Sequence, residues 1–199
     1  MKEPSSRELA DILSILLHTT LDFLGIFLNS LLIYLVICRT PKIMRVYSVL
    51  LLNFALTDYG SCIFDFLTQV RLLPVGRTMT YVSHGPCILI GPYTCYRLYA
   101  LLLHCYAHTL WSLLLSFGYR YYVLNHESPT RRQLLVVLLA ISVPTILQSS
   151  LLMTDNGDPE KLKQITWKTY PNETFGGVQV TGHEDILKFR VLFAVLHMV

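Results

Sequence analysis

The chain of 199 residues carries polar and titratable side chains inside long apolar runs, where each is costly to bury and has to be paired or used. His18, Asp22 and Asn29 lie in the first run, Asn53, Asp58 and Asp65 in the second, and Arg97, His104 and His108 in the third. Asp58 and Asp65 are two helical turns apart and share a face. A buried Asp or Arg in such a setting supports switching, ligand access or a charged path, whereas Asn29 and Asn53 suit the simpler work of joining helices. His104 and His108 have i, i+4 spacing, which suits a metal. No Glu follows the first, so the His-Glu-x-x-His zinc pattern is missing and the pair reads as interface or cavity histidines. Cys62, Cys95 and Cys105 fall within the runs and read as small apolar residues. Cys38 ends the first run and is a weak palmitoylation candidate. There is no Gly-rich phosphate loop, nucleophile elbow or catalytic triad, so no cofactor, resident metal or enzymatic activity is expected.

The elements that position these residues follow from composition. The chain is 53% hydrophobic and 15% charged, with mean hydropathy +0.48, against about 25% charged residues in soluble domains. The apolar residues form blocks, each long enough for the roughly 20 helical residues that cross a bilayer. The blocks predict helices over 12–38, 47–70, 88–123 and 134–153. A shorter run over 189–199 reads as the start of a fifth. The fold class is therefore an all-α membrane protein in one domain, with the lipid bilayer as its partner. The net charge of +3 is scattered along the chain and gives no case for nucleic acid. Arg39-Thr40-Pro41-Lys42, then Pro74 to Pro86, then Asn125 to Pro129 separate the runs. A polar loop is expected over 154–188.

Orientation follows from the basic residues of the short loops. Arg39, Lys42 and Arg45 stand in the first without an acid, and Arg131 and Arg132 in the third with Glu127 alone. The positive-inside rule puts both loops in the cytoplasm, and the N-terminus and the 154–188 loop outside. Arg71 and Arg77 in the second loop argue weakly the other way. Asn172-Glu173-Thr174 is a glycosylation sequon in the expected outer loop. No cleavable signal is visible, so the first helix serves as the targeting signal.

Asn29-Ser30-Leu31-Leu32, the segment Arg39 to Ser48, Leu52-Asn53, Gly85-Pro86-Cys87, His104 to His108 and Leu115 to Tyr122 together resemble the serpentine receptor class delta (Srd) family of nematode chemoreceptors. The resemblance implies a partial seven-transmembrane bundle, of four complete helices plus the start of a fifth. It implies a receptor in the plasma or ciliary membrane of sensory neurons that detects small-molecule odorants or pheromones and couples to a heterotrimeric G protein. Tyr119-Arg120-Tyr121 takes the place of the Asp-Arg-Tyr triplet of rhodopsin-like receptors, with Tyr119 where the acid would stand. Asn29 and Asp58 match the polar positions of the first two helices. Cys87 matches one half of a disulfide to the following outer loop, but 154–188 has no cysteine, so Cys87 is free or pairs elsewhere. The later helices are implied to follow Val199 in a full-length form, and the 199-residue chain alone is expected not to signal.

Two further expectations can be checked. Asp65 and Arg97 stand at about the same depth, counting a rise of roughly 1.5 Å per residue from the loop, and should pair across the second and third helices. Asn29 and Asp58 are placed to bond across the first and second. Two alternatives to a receptor are a transporter or channel using Asp58, Asp65 and Arg97, hinted at only by Gly91-Pro92 as a helix break, and, weaker still, an enzyme using His104 and His108.

Overall fold

A computed structural model describes residues 6–171 and 177–198. The elements in chain order are α1 (Ser6–Arg39), α2 (Tyr47–Thr68), β1 (Val70–Val75), β2 (Thr78–Ser83), α3 (Pro92–Asn125), α4 (Arg131–Met153), α5 (Pro159–Thr169), β3 (Gln179–His183) and α6 (Phe189–Met198). Short 3-10 turns at Lys42–Met44 and Pro86–Leu89 precede α2 and α3. Among the described residues four helices are long and apolar enough to cross a membrane: α1, α2, α3 and α4. They pack in sequence, α1 on α2, α2 on α3 and α3 on α4, with α6 against α4 and α3.

The arrangement of polarity is that of a membrane bundle. Leu13, Leu16, Leu17, Phe23 and Phe27 of α1 are exposed, as are Leu114 and Phe117 of α3 and Leu139 and Val143 of α4. The interior face of α3 instead carries, beside Tyr96 and Leu102, the smaller or polar Cys95, Ala100, Cys105, Ala107, His108, Ser112 and Ser116. Small residues there let helices approach closely, and hydroxyls bond across the contact, because lipid offers helices no hydrophobic reason to associate.

Helix ends follow from local chemistry. Thr130 and Gln133 form a reciprocal capping box at the start of α4. Asp158 caps α5, accepting from the Glu160 backbone N–H, with Pro159 in the first turn. Pro92 likewise opens α3, whose N-cap is Gly91. Gly91-Pro92 therefore marks the head of the helix and not a break within it, which removes the transporter-like signal. The third helix begins at Pro92 rather than at 88, since Pro86 and the following turn come first.

The loops at one end of the bundle are more structured than expected. β1, β2 and β3 form one antiparallel sheet in the order β1-β2-β3. Gly76 turns the β1–β2 hairpin with φ +61°, the positive value a tight hairpin needs at its first turn position. Gly182 (φ +144°) lets β3 lie against Met79 of β2, where a Cβ would strike the Met79 carbonyl oxygen. The region expected to be a plain loop over 154–188 thus contains a helix and a strand. The reason is a small core of their own: Leu73, Val82, Leu162 and Val180 bury together. Leu162 and Thr166, one turn apart on α5, face the sheet, and Thr166 bonds Thr80 at 3.0 Å.

Candidate functional site

Polar side chains join the helices from within. The Asn53 amide donates from Nδ2 to Ser112 Oγ at 2.8 Å, and its Oδ1 lies 3.1 Å from His108 Nε2. Oδ1 can only accept, so His108 carries its proton on Nε2. That leaves His108 Nδ1 buried without a partner among the described residues, as is His104 Nδ1, and the two rings stack 6.1 Å apart. Thr109 donates to Asp58 at 3.3 Å. Nearer the sheet, His18 Nδ1 lies 2.8 Å from Asp65 Oδ2, and Gln69 donates to Thr19 at 3.0 Å. The face that Asp58 and Asp65 share looks onto both neighbours of α2: Asp58 reaches α3 and Asp65 reaches α1.

Two expected pairings do not form. Asp65 pairs with His18, not with Arg97, which stands exposed on α3 and makes no ion pair among the described residues. A count of depth along two helices fixes no rotation about either axis. Asn29 does not reach Asp58. Its amide donates to the Gly25 carbonyl one turn back in α1, at 3.0 Å, a local bond that costs no second helix. The sequon at Asn172 lies outside the described residues.

At the basic end of the bundle, Arg120 donates from Nη2 to the Tyr47 hydroxyl at 2.7 Å, and its guanidinium sits 5.7 Å from the centre of the Tyr47 ring. Tyr119 packs on the same ring, with centroids 5.8 Å apart, while Tyr121 is exposed. Arg120 and Tyr119 thus both meet one phenol from α2. Arg131 Nε donates to the Arg45 carbonyl at 3.1 Å and ties the two basic loops together.

At the sheet end, a cavity of about 180 Å³ lies between the sheet, α3, the end of α4 and α6, walled by Leu72, Tyr81, Tyr99, Leu103, His183 and Ala194 among others. Tyr81 packs at a tilt on Tyr99 at 4.6 Å, and the His183 ring meets Tyr81 and Tyr96 edge-on at 5.6 and 5.7 Å. His183 is 1% exposed, and its Nδ1 faces the Asp155 carbonyl (3.0 Å) and carboxylate (3.2 Å). Burial lowers the His183 pKa, against the Asp155 contacts that favour the proton. Burial raises that of the Tyr81 hydroxyl. α6 is seated by His197, which bonds Gln148 at 2.7 Å and accepts from Trp111 at 3.1 Å. A space with aromatic and aliphatic walls and a few polar atoms suits a small, mostly apolar molecule.

A disulfide joins Cys87 to Cys95 across the head of α3. Cys95 is therefore not merely a small apolar residue. It stands in the first turn of α3, a helix starting later than the hydropathy implied, within reach of the preceding 3-10 turn. Sequence reasoning also missed the partnership of His183 with Asp155 and of His18 with Asp65. The i, i+4 pair His18 and Asp22 was the visible signal for the second; nothing in the sequence marked the first.

Apolar helices facing outward around a polar, hydrogen-bonded interior, with a cavity at one end, define a multi-pass membrane protein built as a receptor-type bundle. The chain belongs to the Srd family of serpentine chemoreceptors: the family profile "Serpentine type 7TM GPCR chemoreceptor Srd" matches residues 14–199. It is 37% identical over 186 residues to serpentine receptor class delta-19 of Caenorhabditis elegans, covering 91% of this chain and 55% of that protein. Class delta-18 of the same organism is 35% identical, with the same coverage. Class delta-1 is 35% identical over 87% of this chain and 48% of its own length. The chain thus spans about half the length of these relatives. No solved structure matches it.

Proposed function

We propose that the chain is the ligand-reading half of a chemosensory receptor, which takes up a small, mostly apolar odorant or pheromone beneath the sheet and passes the signal along α3 to a heterotrimeric G protein at the Arg120 end. One observation carries this reading: Tyr99 in the cavity wall and Arg120 at the opposite end stand on the same helix. Their 21-residue separation corresponds to roughly 32 Å at 1.5 Å per residue, about the thickness of a bilayer core. The cavity wall also includes Val191 and Ala194 of α6, so a ligand there bears on both helices at once.

The basic bias at Arg39, Lys42, Arg45, Arg131 and Arg132 supports a cytoplasmic Arg120 end and an outward sheet. The Cys87–Cys95 disulfide supports the same orientation, because such bonds persist on the oxidising side of a membrane. The N-terminus is then extracellular, and sensory-neuron plasma or ciliary membrane is the expected site of action.

The test is to fill the cavity in a receptor completed with the C-terminal half of class delta-19. Leu103→Trp and Ala194→Trp should each abolish responses to a panel of small, mostly apolar volatile and amphiphilic compounds while surface delivery is unchanged. Unchanged responses in both variants would place the ligand elsewhere.

A further inference from the structure

Asp22 is the buried charge that neither the cavity nor the basic end uses. It sits on α1 at 6% exposure, and its Oδ2 is fully enclosed with no hydrogen-bond partner among the described residues. An unpaired buried carboxylate oxygen is expensive, costing several kcal/mol in idealised accounts and about 1–3 kcal/mol even after relaxation. Asp22 follows His18 by four residues, so the two lie one above the other on the same face of α1. That face meets α2 at Asp65. One ligand atom from each of His18, Asp22 and Asp65 falls within 4.8 Å of the other two. The His18–Asp65 separation of 2.8 Å is that of a direct hydrogen bond, which has to open slightly to admit an ion. With bond lengths of about 2.0–2.2 Å to nitrogen and oxygen, tetrahedral neighbours lie about 3.3 Å apart.

We propose that His18, Asp22 and Asp65 form a binding site for a divalent transition cation of the zinc class, clamping α1 to α2 near the sheet end. The donor set decides the class. One imidazole with two carboxylates suits zinc and its neighbours, whereas calcium and magnesium take oxygen alone. Three protein ligands leave a fourth position open. Beside His18 lies a cavity of about 20 Å³, bordered by Asp11, Gln69, Arg71 and His84. That is room for a single water beside His18. On binding, Asp22 Oδ2 gains the partner it lacks. The hydrogen between His18 Nδ1 and Asp65 moves to Nε2 or leaves to solvent, freeing the Nδ1 lone pair for the metal. The site is separate from the aromatic cavity and does not depend on the chain being a chemoreceptor.

The experiment uses the whole chain in detergent, stripped of metal with a chelator and titrated with Co²⁺, whose tetrahedral complexes absorb strongly in the visible. The expected result is one equivalent of Co²⁺ with an intense visible band that Zn²⁺ displaces. His18→Gln, Asp22→Asn and Asp65→Asn should each weaken binding at least about ten-fold, since even residues supporting a ligand from behind are worth that much. Asp22→Asn keeps the side-chain shape and removes an unpaired charge, so it should fold at least as well as the parent. Zn²⁺ should raise the thermal midpoint of the parent clearly more than that of Asp22→Asn at the same concentration. The proposal is overturned if the folded parent shows no band, if the three variants bind as the parent does, or if the band is lost in His104→Gln or His108→Gln instead.

Discussion

The Arg120 guanidinium donates to the hydroxyl of Tyr47 at 2.7 Å, so the start of α2 holds the end of α3. The residue next to Arg120 is Tyr119, so its polar partner here is a phenol of α2 and not an adjacent carboxylate. The contact is an exposed hydrogen bond plus a ring face, and one hydrogen bond to a charged group contributes about 1.5–3 kcal/mol when buried and less when exposed. A restraint that weak can be released when the bundle opens. Tyr47→Phe keeps the ring and removes the acceptor. It should raise ligand-free activity of a completed receptor, measured as basal nucleotide exchange on the G protein. Basal exchange at or below the parental level would show that Tyr47 does not restrain Arg120.

His183 provides a pH dependence with a definite sign. Burial holds its folded-state pKa below the ordinary value near 6.5. Between those two pKa values the unfolded chain binds a proton that the folded chain does not, so stability is full above about pH 6.5 and falls as pH is lowered. Asp155, Lys188, Tyr81 and Tyr96 face the ring and set its field. The thermal midpoint in detergent should therefore drop from about pH 7.5 to pH 5.5, and His183→Gln should flatten that slope. Parallel slopes in parent and variant would remove His183 as the cause.

The disulfide makes a prediction about thiol count. Of the five cysteines, Cys38, Cys62 and Cys105 are free. Alkylation of denatured protein without reductant should add three labels, and with reductant five. Five labels without reductant would mean that Cys87 and Cys95 are not joined. Cys87→Ser should loosen the head of α3, costing about 2–3 kcal/mol by the loop-closure entropy of a short crosslink.

The four spans were legible because hydropathy over some 20 residues records burial in lipid directly. Their relative rotation was not, and this is why Asp65 was matched to Arg97 by depth when His18 is its partner. The sheet was hidden for another reason. Val70–Val75 and Thr78–Ser83 are punctuated by Pro74 and Gly76, and the third strand, Gln179–His183, lies about a hundred residues further on. Such non-local pairing leaves no mark in a local pattern. Cys95 was misread by a boundary error of one helical turn. The contact of Arg120 with Tyr47 had no local signal either, since the two stand 73 residues apart. The buried partnership of His183 and Asp155 depends on two loops meeting, which only the folded chain reveals.

If α3 links a ligand cavity to a G-protein contact at Arg120, nucleotide exchange in a completed receptor will report it. The receptor carries residues 14–199 of this chain and the remaining helices of class delta-19, and exchange on a purified heterotrimer is followed with and without an activating ligand from the panel. The account predicts ligand-evoked exchange in the parent, with none in Arg120→Ala or in Arg120→Lys, because a lysine offers a point charge where a planar set of donors is needed. Surface delivery should be equal in all three. Normal ligand-evoked exchange in both variants would contradict the account, leaving Arg120 as an anchor of the helix end.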